Sequence, residues 1–413
     1  MVPRADIPRS GFKVESAYKT TFDSGWLVPV YLEEVLPGDS FNLRATMFAR
    51  LATPIVPVMD NLYLDSFFFF VPSRLLWDNW QKFMGERLNP DDSIDYEVPH
   101  INASSIGEGA SAVAGSLYDY FGIPVDGQLT GNIQVNALPF RAYNLIWNEW
   151  FRDQNLQDRA YQTSDDGPDD QDAYSLLRRG KRHDYFTSAL PWVQKGDPVP
   201  LPLGATAPVK TAADNVLIGA QNPVRIVNSA TGGGITNSGT LGVGDDTLGD
   251  YNASGITGVV GNWHIDNLYA DLSAATAATI NQIRQAFQIQ KLLERDARGG
   301  TRYTELVRSH FGVMSPDARL QRPEYLGGGS TPVNIHPVAQ TSESGTTVQG
   351  NLAAFGTALA QGHGFTQAFT EHGYVIGLIS VRADLNYQQG LHKMWSRRTR
   401  YDFYWPVFAH LGE

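Results

Sequence analysis

The stretch that decides the fold is Leu62-Tyr-Leu-Asp-Ser-Phe-Phe-Phe-Phe-Val71, ten residues rich in aromatic and branched side chains and closed by Pro72. Such a run is too short for an ordinary helix and favours extended backbone, so it reads as a strand. Upstream, Leu27-Val-Pro-Val-Tyr-Leu32 has the same character, and Phe41, Leu43, Ala45 and Met47 alternate with polar residues at the period of a half-buried strand. Pro-Gly-Asp and Pro-rich turns separate the three. Three strands in so short a span predict antiparallel pairing. Near the other end, Tyr374 to Val381 is a further apolar strand.

Helical period appears only between such segments. Ser73 is placed to cap a short helix carrying Leu76, Trp77, Trp80, Phe83 and Met84, and Arg141 to Asn155 lines Tyr143, Ile146, Trp147, Trp150 and Phe151 on one face. A longer helix is expected from Ser273 to Arg298. Its apolar stripe of Ile280, Ile283, Ala286, Phe287, Ile289 and Leu293 predicts a packing helix inserted between strands, stopped by Gly299-Gly300. Residues 1–26 hold prolines and cations without a hydrophobic period and read as an extended arm. Residues 203–262 are rich in Gly and Thr, with few charges, and read as a large surface insertion. Strands interrupted by long insertions that carry a few helices predict a mainly β fold, an antiparallel jelly roll with expanded loops, spanning residues 27–413 as one domain.

Composition excludes several functions. With no cysteine among 413 residues there is no disulfide framework, thiolate metal site or cysteine nucleophile. The formal charge of −11 excludes a protein that coats nucleic acid over its whole surface, so any such contact is local. The N-terminus lacks the apolar core of a signal peptide, and no window has the apolar length of a membrane span.

No catalytic pattern stands out. His363, His372 and His392, with Glu371, match no zinc spacing, and the acidic run Asp165 to Asp172 lacks the order of a calcium loop and reads as solvated, with a structural calcium the weaker alternative. The runs Gly232 to Gly234 and Gly327 to Gly329 lack the lysine and hydroxyl of a phosphate loop and read as flexible turns. No cofactor is expected.

The signal that remains is basic and aromatic. Lys393, Trp395, Arg397, Arg398, Arg400 and Tyr401 sit in one short segment with Phe403, Tyr404 and Trp405. Guanidinium groups pair with phosphates and rings stack on bases, so these six are candidates for contact with single-stranded DNA; Arg4, Arg9 and Lys13 in the arm are further candidates. The competing reading makes the segment a strand with core aromatics and intersubunit ion pairs. A second patch, Arg178, Arg179, Lys181 and Arg182, is followed by Asp184 and reads as a subunit interface. Two other classes fit less well: a carbohydrate-active β-protein, for which no carboxylate pair is evident, and a monomeric single-strand-binding module, which the acidic charge disfavours.

Several blocks carry a resemblance: Phe41-Asn-Leu-Arg-Ala-Thr-Met-Phe-Ala-Arg-Leu51, Phe67-Phe-Phe-Phe-Val-Pro-Ser-Arg-Leu-Leu-Trp77, Leu177-Arg-Arg-Gly-Lys-Arg-His-Asp-Tyr-Phe186, Arg308-Ser-His-Phe-Gly-Val313, Arg319-Leu-Gln-Arg-Pro-Glu-Tyr-Leu-Gly-Gly-Gly329, and Trp395 through Pro406. They resemble the major capsid proteins of the Microviridae in their gokushovirus form. The resemblance implies an eight-stranded viral jelly roll, a T=1 icosahedral shell of sixty copies, and a circular single-stranded DNA genome in a bacterial host. It further implies a virion protein assembled in the host cytoplasm, with scaffolding proteins and a host-surface receptor as possible partners and no membrane insertion. The 203–262 insertion would then project at the three-fold axes. Chains of that family usually continue well past the Trp405-to-His410 block, which implies a truncated or divergent form or an incomplete gene; if closure of the jelly roll needs the tail, an edge strand is left open.

Overall fold

The computed structural model describes residues 10–54, 58–102, 113–125, 128, 134–184, 187–188, 190–200, 279–314, 321–387 and 389–408, together with strand segments at 209–211, 225–228, 261–264 and 268–270. In chain order the strands are β1 (Val28–Val35), β2 (Ser40–Arg50), β3 (Asn61–Pro72), β4 (His100–Asn102), β5 (Gln134–Asn136), β6 (Val209–Thr211), β7 (Arg225–Asn228), β8 (Gly261–His264), β9 (Leu268–Ala270), β10 (Glu324–Pro332), β11 (Asn334–Ala339), β12 (Leu352–Ala368) and β13 (Gly373–Asp384). The α-helices are α1 (Trp80–Phe83), α2 (Leu117–Tyr120), α3 (Leu138–Ile146), α4 (Ile280–Gly299), α5 (Tyr303–Phe311) and α6 (Lys393–Ser396). The chain divides into two compact units, Met1–Val193 with Asp296–Glu413, and Gln194–Arg295.

The first unit is mainly β. One antiparallel sheet has the order β1-β13-β3-β10 and a second the order β11-β12-β2. Pairing is nested along the chain: β1 pairs with β13, β2 with β12, and β3 with β10. Pro332 ends β10, and after Val333 alone the chain re-enters the other sheet as β11, so one extended segment turns the corner between sheets. The two sheets hold seven strands among the described residues.

The phenylalanine run lies at the centre because it is buried on both sides. Successive strand residues point to opposite faces. Phe68 and Phe70 pack with Val35, Val375, Phe365 and Phe369 between the two sheets. Phe69 and Val71 face the other way, against Leu27, Ile376, Leu378 and the α3 residues Phe140, Ala142 and Tyr143. A strand with cores on both faces has no need of polar alternation, whereas β2, with one face outward, alternates as its sequence predicts.

Gly327 to Gly329 form part of β10 and are not turns. A Cβ at Gly328 would lie 2.1 Å from the Ser66 carbonyl oxygen, and one at Gly329 would meet the His363 ring at 2.5 Å. The glycines let β10 pass close to β3 and β12. Gly232 to Gly234 lie outside the described residues.

The helices depart from the sequence expectation in detail. Ser73 starts a one-turn 3₁₀ segment, Ser73–Leu75, whose cap is Pro72, and donates its own backbone N–H to the His372 carbonyl at 3.0 Å. α1 follows separately. The second predicted helix begins earlier, at Leu138, because Pro139 fits a first turn that has no use for its missing N–H, and it ends in a π turn over Trp147–Phe151. α4 starts at Ile280; the expected residues 273–278 lie outside the described set. It is not buried between strands: Ile280, Phe287 and Ile289 are exposed, and Ala297 is its one buried residue.

In the second unit, short antiparallel pairs join β6 to β9 and β7 to β8. The rest of the expected 203–262 insertion lies outside the described residues. In the arm, residues 10–21 have no regular structure, and Tyr18 Oη donates to the Tyr120 carbonyl at 3.0 Å while Tyr120 Oη donates to the Thr21 carbonyl at 2.9 Å. An open trough of about 2680 Å³ runs between this arm and β2.

Candidate assembly and nucleic-acid surfaces

The C-terminal cluster is not a strand. After β13 the chain forms α6 and then two 3₁₀ turns, Arg400–Asp402 and Pro406–Phe408. Asp402 organises the first turn by accepting from the backbone N–H groups of Arg398 at 2.9 Å and Thr399 at 2.6 Å. Those bonds hold its carboxyl below the ordinary range. Rings and cations pair locally: the Arg397 guanidinium lies 5.4 Å from the Phe403 ring centre, and that of Arg400 4.9 Å from Trp405, whose Nε1 donates to the Arg400 carbonyl. Tyr401 meets Phe408 edge to face. Yet Trp395, Tyr401 and Tyr404 are 70–75% exposed. The alternative of a strand with core aromatics is therefore corrected. Strand propensity lost to local capping, and the segment presents rings and guanidinium groups outward. Lys393, Trp395, Arg398, Arg400 and Tyr401 are all exposed and Arg397 is half-buried, so the six candidates share one short surface segment.

Of the arm candidates, Lys13 is exposed and pairs with Glu15, while Arg4 and Arg9 lie outside the described residues.

The second basic patch is tied to its own subunit. The loop runs beside Trp26, with Arg178 stacked 4.3 Å from the Trp26 ring centre and the Arg178 carbonyl accepting from Trp147 Nε1 at 2.8 Å. Arg179 turns inward and pairs with Asp65, which also accepts from Arg382 Nε at 2.7 Å. Burial would raise the Asp65 carboxyl, but hydrogen bonds from Arg179, Ser330 and Arg382 outweigh it and hold its pKa below the usual value. Lys181 reaches Asp184 at 2.5 Å and also bonds Tyr387, and Arg182 lies 3.9 Å from Asp384. Arg178, Lys181 and Arg182 nonetheless remain exposed.

Within the acidic run Asp165, Asp166, Asp170 and Asp172 are exposed, as a solvated loop predicts, whereas Asp169 is buried and structural. Arg141, on α3 and 1% exposed, donates Nε to Asp169 Oδ2 at 2.8 Å and Nη2 to Asp169 Oδ1 at 2.5 Å. Its remaining donors reach the carbonyls of Leu76 at 3.0 Å and Asp165 at 2.9 Å, and Tyr174 Oη also donates to Asp169. Asp166 accepts from Trp77 Nε1 at 2.6 Å and Asn79 Nδ2 at 2.9 Å. These carboxylates are taken up by arginine, indole and amide donors. Among the described residues, no group of three or more histidines and carboxylates is placed to hold a metal ion.

The histidines separate as well. His363 is buried, with Nδ1 2.7 Å from Ser66 Oγ and Nε2 3.1 Å from Thr331 Oγ1; His372 packs against Trp80; His392 caps α6. Glu371 pairs with Arg74 at 2.7 Å. Sequence reading missed both buried ion-pair centres. The available signal was Asp65 itself, a lone charge within the apolar strand Leu62 to Val71, which requires a buried cation.

The two-sheet framework thus carries cationic and aromatic segments on its surface. Over residues 1–413 the sequence matches the family described as capsid protein (F protein), and the chain belongs to it. It is 51% identical over 417 residues to capsid protein VP1 of Bdellovibrio phage phiMH2K, covering all of this chain and 76% of the relative. Identity is 40% to capsid protein VP1 of Chlamydia phage 1, covering all of this chain and 77% of that one, and 39% to that of Spiroplasma virus 4, covering 98% and 75%. The protein is a major capsid protein of the Microviridae, a component of the virion.

Proposed function

We propose that this subunit forms a T=1 icosahedral shell of sixty copies around a circular single-stranded DNA genome, and that Lys393, Trp395, Arg397, Arg398, Arg400 and Tyr401 contact that DNA on the inner face. The observation that carries this reading is an exposed segment of rings and guanidinium groups on a chain of net charge −11. Phosphates attract the cations and every base has a face to stack, so the contacts are independent of sequence. Arg4, Arg9 and Lys13 of the 1–26 arm supply further cations.

The framework is an eight-stranded jelly roll spanning 27–413. Nested pairing supports it, since the outermost strands pair with each other, then the next pair inward, as when one long antiparallel hairpin is rolled up. Exposed Arg178, Lys181 and Arg182 face an adjacent subunit, with Arg179 anchoring their loop. The 203–262 insertion projects at the three-fold axes, available to a host receptor. Assembly takes place in the bacterial cytoplasm, with other capsid or scaffolding proteins taking part.

Replacing Arg397, Arg398 and Arg400 together by Gln tests the DNA contact. Packaged DNA per particle, measured by nuclease-protected nucleotide, is expected to fall several-fold while the yield of soluble subunit holds. Equal loss of both would assign the segment to folding or assembly.

A further inference from the structure

We infer that the outward face of the three-stranded sheet β11-β12-β2 is a second binding surface for single-stranded DNA, separate in sequence from the C-terminal segment. The inference rests on the reading of this chain as a subunit that contacts single-stranded DNA, and concerns a different surface of it.

The face is built by strand alternation. On β2, Phe41, Leu43, Ala45, Met47 and Ala49 point into the sandwich, so Arg44, Phe48 and Arg50 point out. On β12, Ala358 and Ala360 are buried, so Phe355, Thr357 and Leu359 point out. The register sets these residues in cross-strand rows: Phe48 beside Leu359, then Arg50 beside Thr357, then Phe355 beside His336 of β11. Rows on one face lie about 7 Å apart, two residues of strand rise each. Ring, cation and ring therefore follow one another across the face.

The rings are available. Phe48 is 72% exposed and Phe355 38%, and the His336 ring stacks on Phe355 with centres 5.2 Å apart and planes at 30°. Both arginines are exposed, and neither has an ion-pair partner among the described residues. No Asp or Glu occupies an outward position on any of the three strands, although acids outnumber bases in the chain, 43 to 32. Four other arginines of the unit do pair with carboxylates: Arg141 with Asp169, Arg179 and Arg382 with Asp65, Arg74 with Glu371. An exposed sheet with unpaired cations between flat rings is complementary to a flexible polyanion that carries flat bases. A second copy of this acidic chain would have to bring carboxylates to the same face, and that alternative becomes an outcome of the test.

The test uses the whole chain and a fluorescein-labelled oligo-dT of roughly 16 nucleotides, a length within single-strand site sizes, with anisotropy followed across a salt series. Arg44→Gln with Arg50→Gln should flatten the slope of log K against log salt by about 1.4, since each single-strand phosphate contact contributes roughly 0.7. Phe48→Ala with Phe355→Ala should weaken binding about tenfold, leaving the slope unchanged, because stacking rather than charge is lost. Far-ultraviolet circular dichroism verifies that both variants keep the wild-type fold. The R397Q, R398Q, R400Q chain, measured alongside, should retain part of its binding. The inference is overturned if the wild-type chain does not bind the oligonucleotide, if both sheet variants bind as wild type does, or if the C-terminal variant alone abolishes binding. It is equally overturned if the sheet variants change only self-association in sedimentation, which would make the face a contact between subunits.

Discussion

Replacing Asp169 by Ala should cost on the order of 3–5 kcal/mol of stability, the range found when one partner of a buried ion pair is removed. The size follows from what is stranded. Arg141 is 1% exposed and cannot lose its proton, so without Asp169 a full charge remains buried with only carbonyls and the solvent-exposed Asp165 carboxylate, 3.1 Å from Nη2, to answer it. Tyr174 loses its acceptor at the same time. The change reaches beyond the pair, because Arg141 joins α3, the Leu76 carbonyl and the 165–169 loop. The loss is measured as the shift in urea midpoint at neutral pH. Asp170→Ala, at an exposed position whose carboxylate accepts only the local Asp172 backbone N–H, should shift it far less. A shift below about 1 kcal/mol for Asp169→Ala would mean that the pair is solvated.

The second large effect concerns neighbouring residues of β3. Phe68→Ala and Phe69→Ala should each destabilise by roughly 3–5 kcal/mol, as expected of large-to-small changes in a packed core. In a sheet with one wet face, adjacent residues differ sharply in cost. Here both are buried, Phe68 against Phe365 between the sheets and Phe69 among Trp150, Phe151 and Tyr325 on the far side. Denaturation midpoints of the two single variants measure this. A substantial cost for one and a negligible cost for the other would contradict the two-sided burial of the central sheet.

The framework strands were legible because their signals are local. β2 announces itself by alternation, and β3 and β13 by continuous apolar runs. Gly327 to Gly329 were not legible, since glycine locally signals a turn, and only the approach of Ser66 and His363 from distant strands explains why side chains are excluded there. The acidic run illustrates the same limit: its neutralising cation lies 28 residues away at Arg141. Asp65 finds its cations 114 and 317 residues away. For α4 the period predicted the helix but could not name what covers its stripe. The C-terminal surface was legible in composition and not in conformation, although Thr399-Arg-Tyr-Asp402 is a capping pattern that marks a helical start.

The molecule has the form of a building block: a central sheet covered on both faces, the buried charges of Arg141 and Asp65 satisfied in pairs, and exposed rings and cations on the surface. On the proposed reading, local cationic surfaces on an otherwise acidic chain would gather a polyanion. Many equivalent moderate contacts in closed symmetry then suffice for a stable particle.

The most direct measurement is electron cryo-microscopy of particles formed by this 413-residue chain, with their mass taken from sedimentation. Sixty copies of a 45.5 kDa chain predict an icosahedral shell of roughly 2.7 MDa before any genome is counted, with the segment Lys393 to Phe408 on its inner surface. A closed particle of another copy number, or a shell with that segment on its outer surface, would contradict the account.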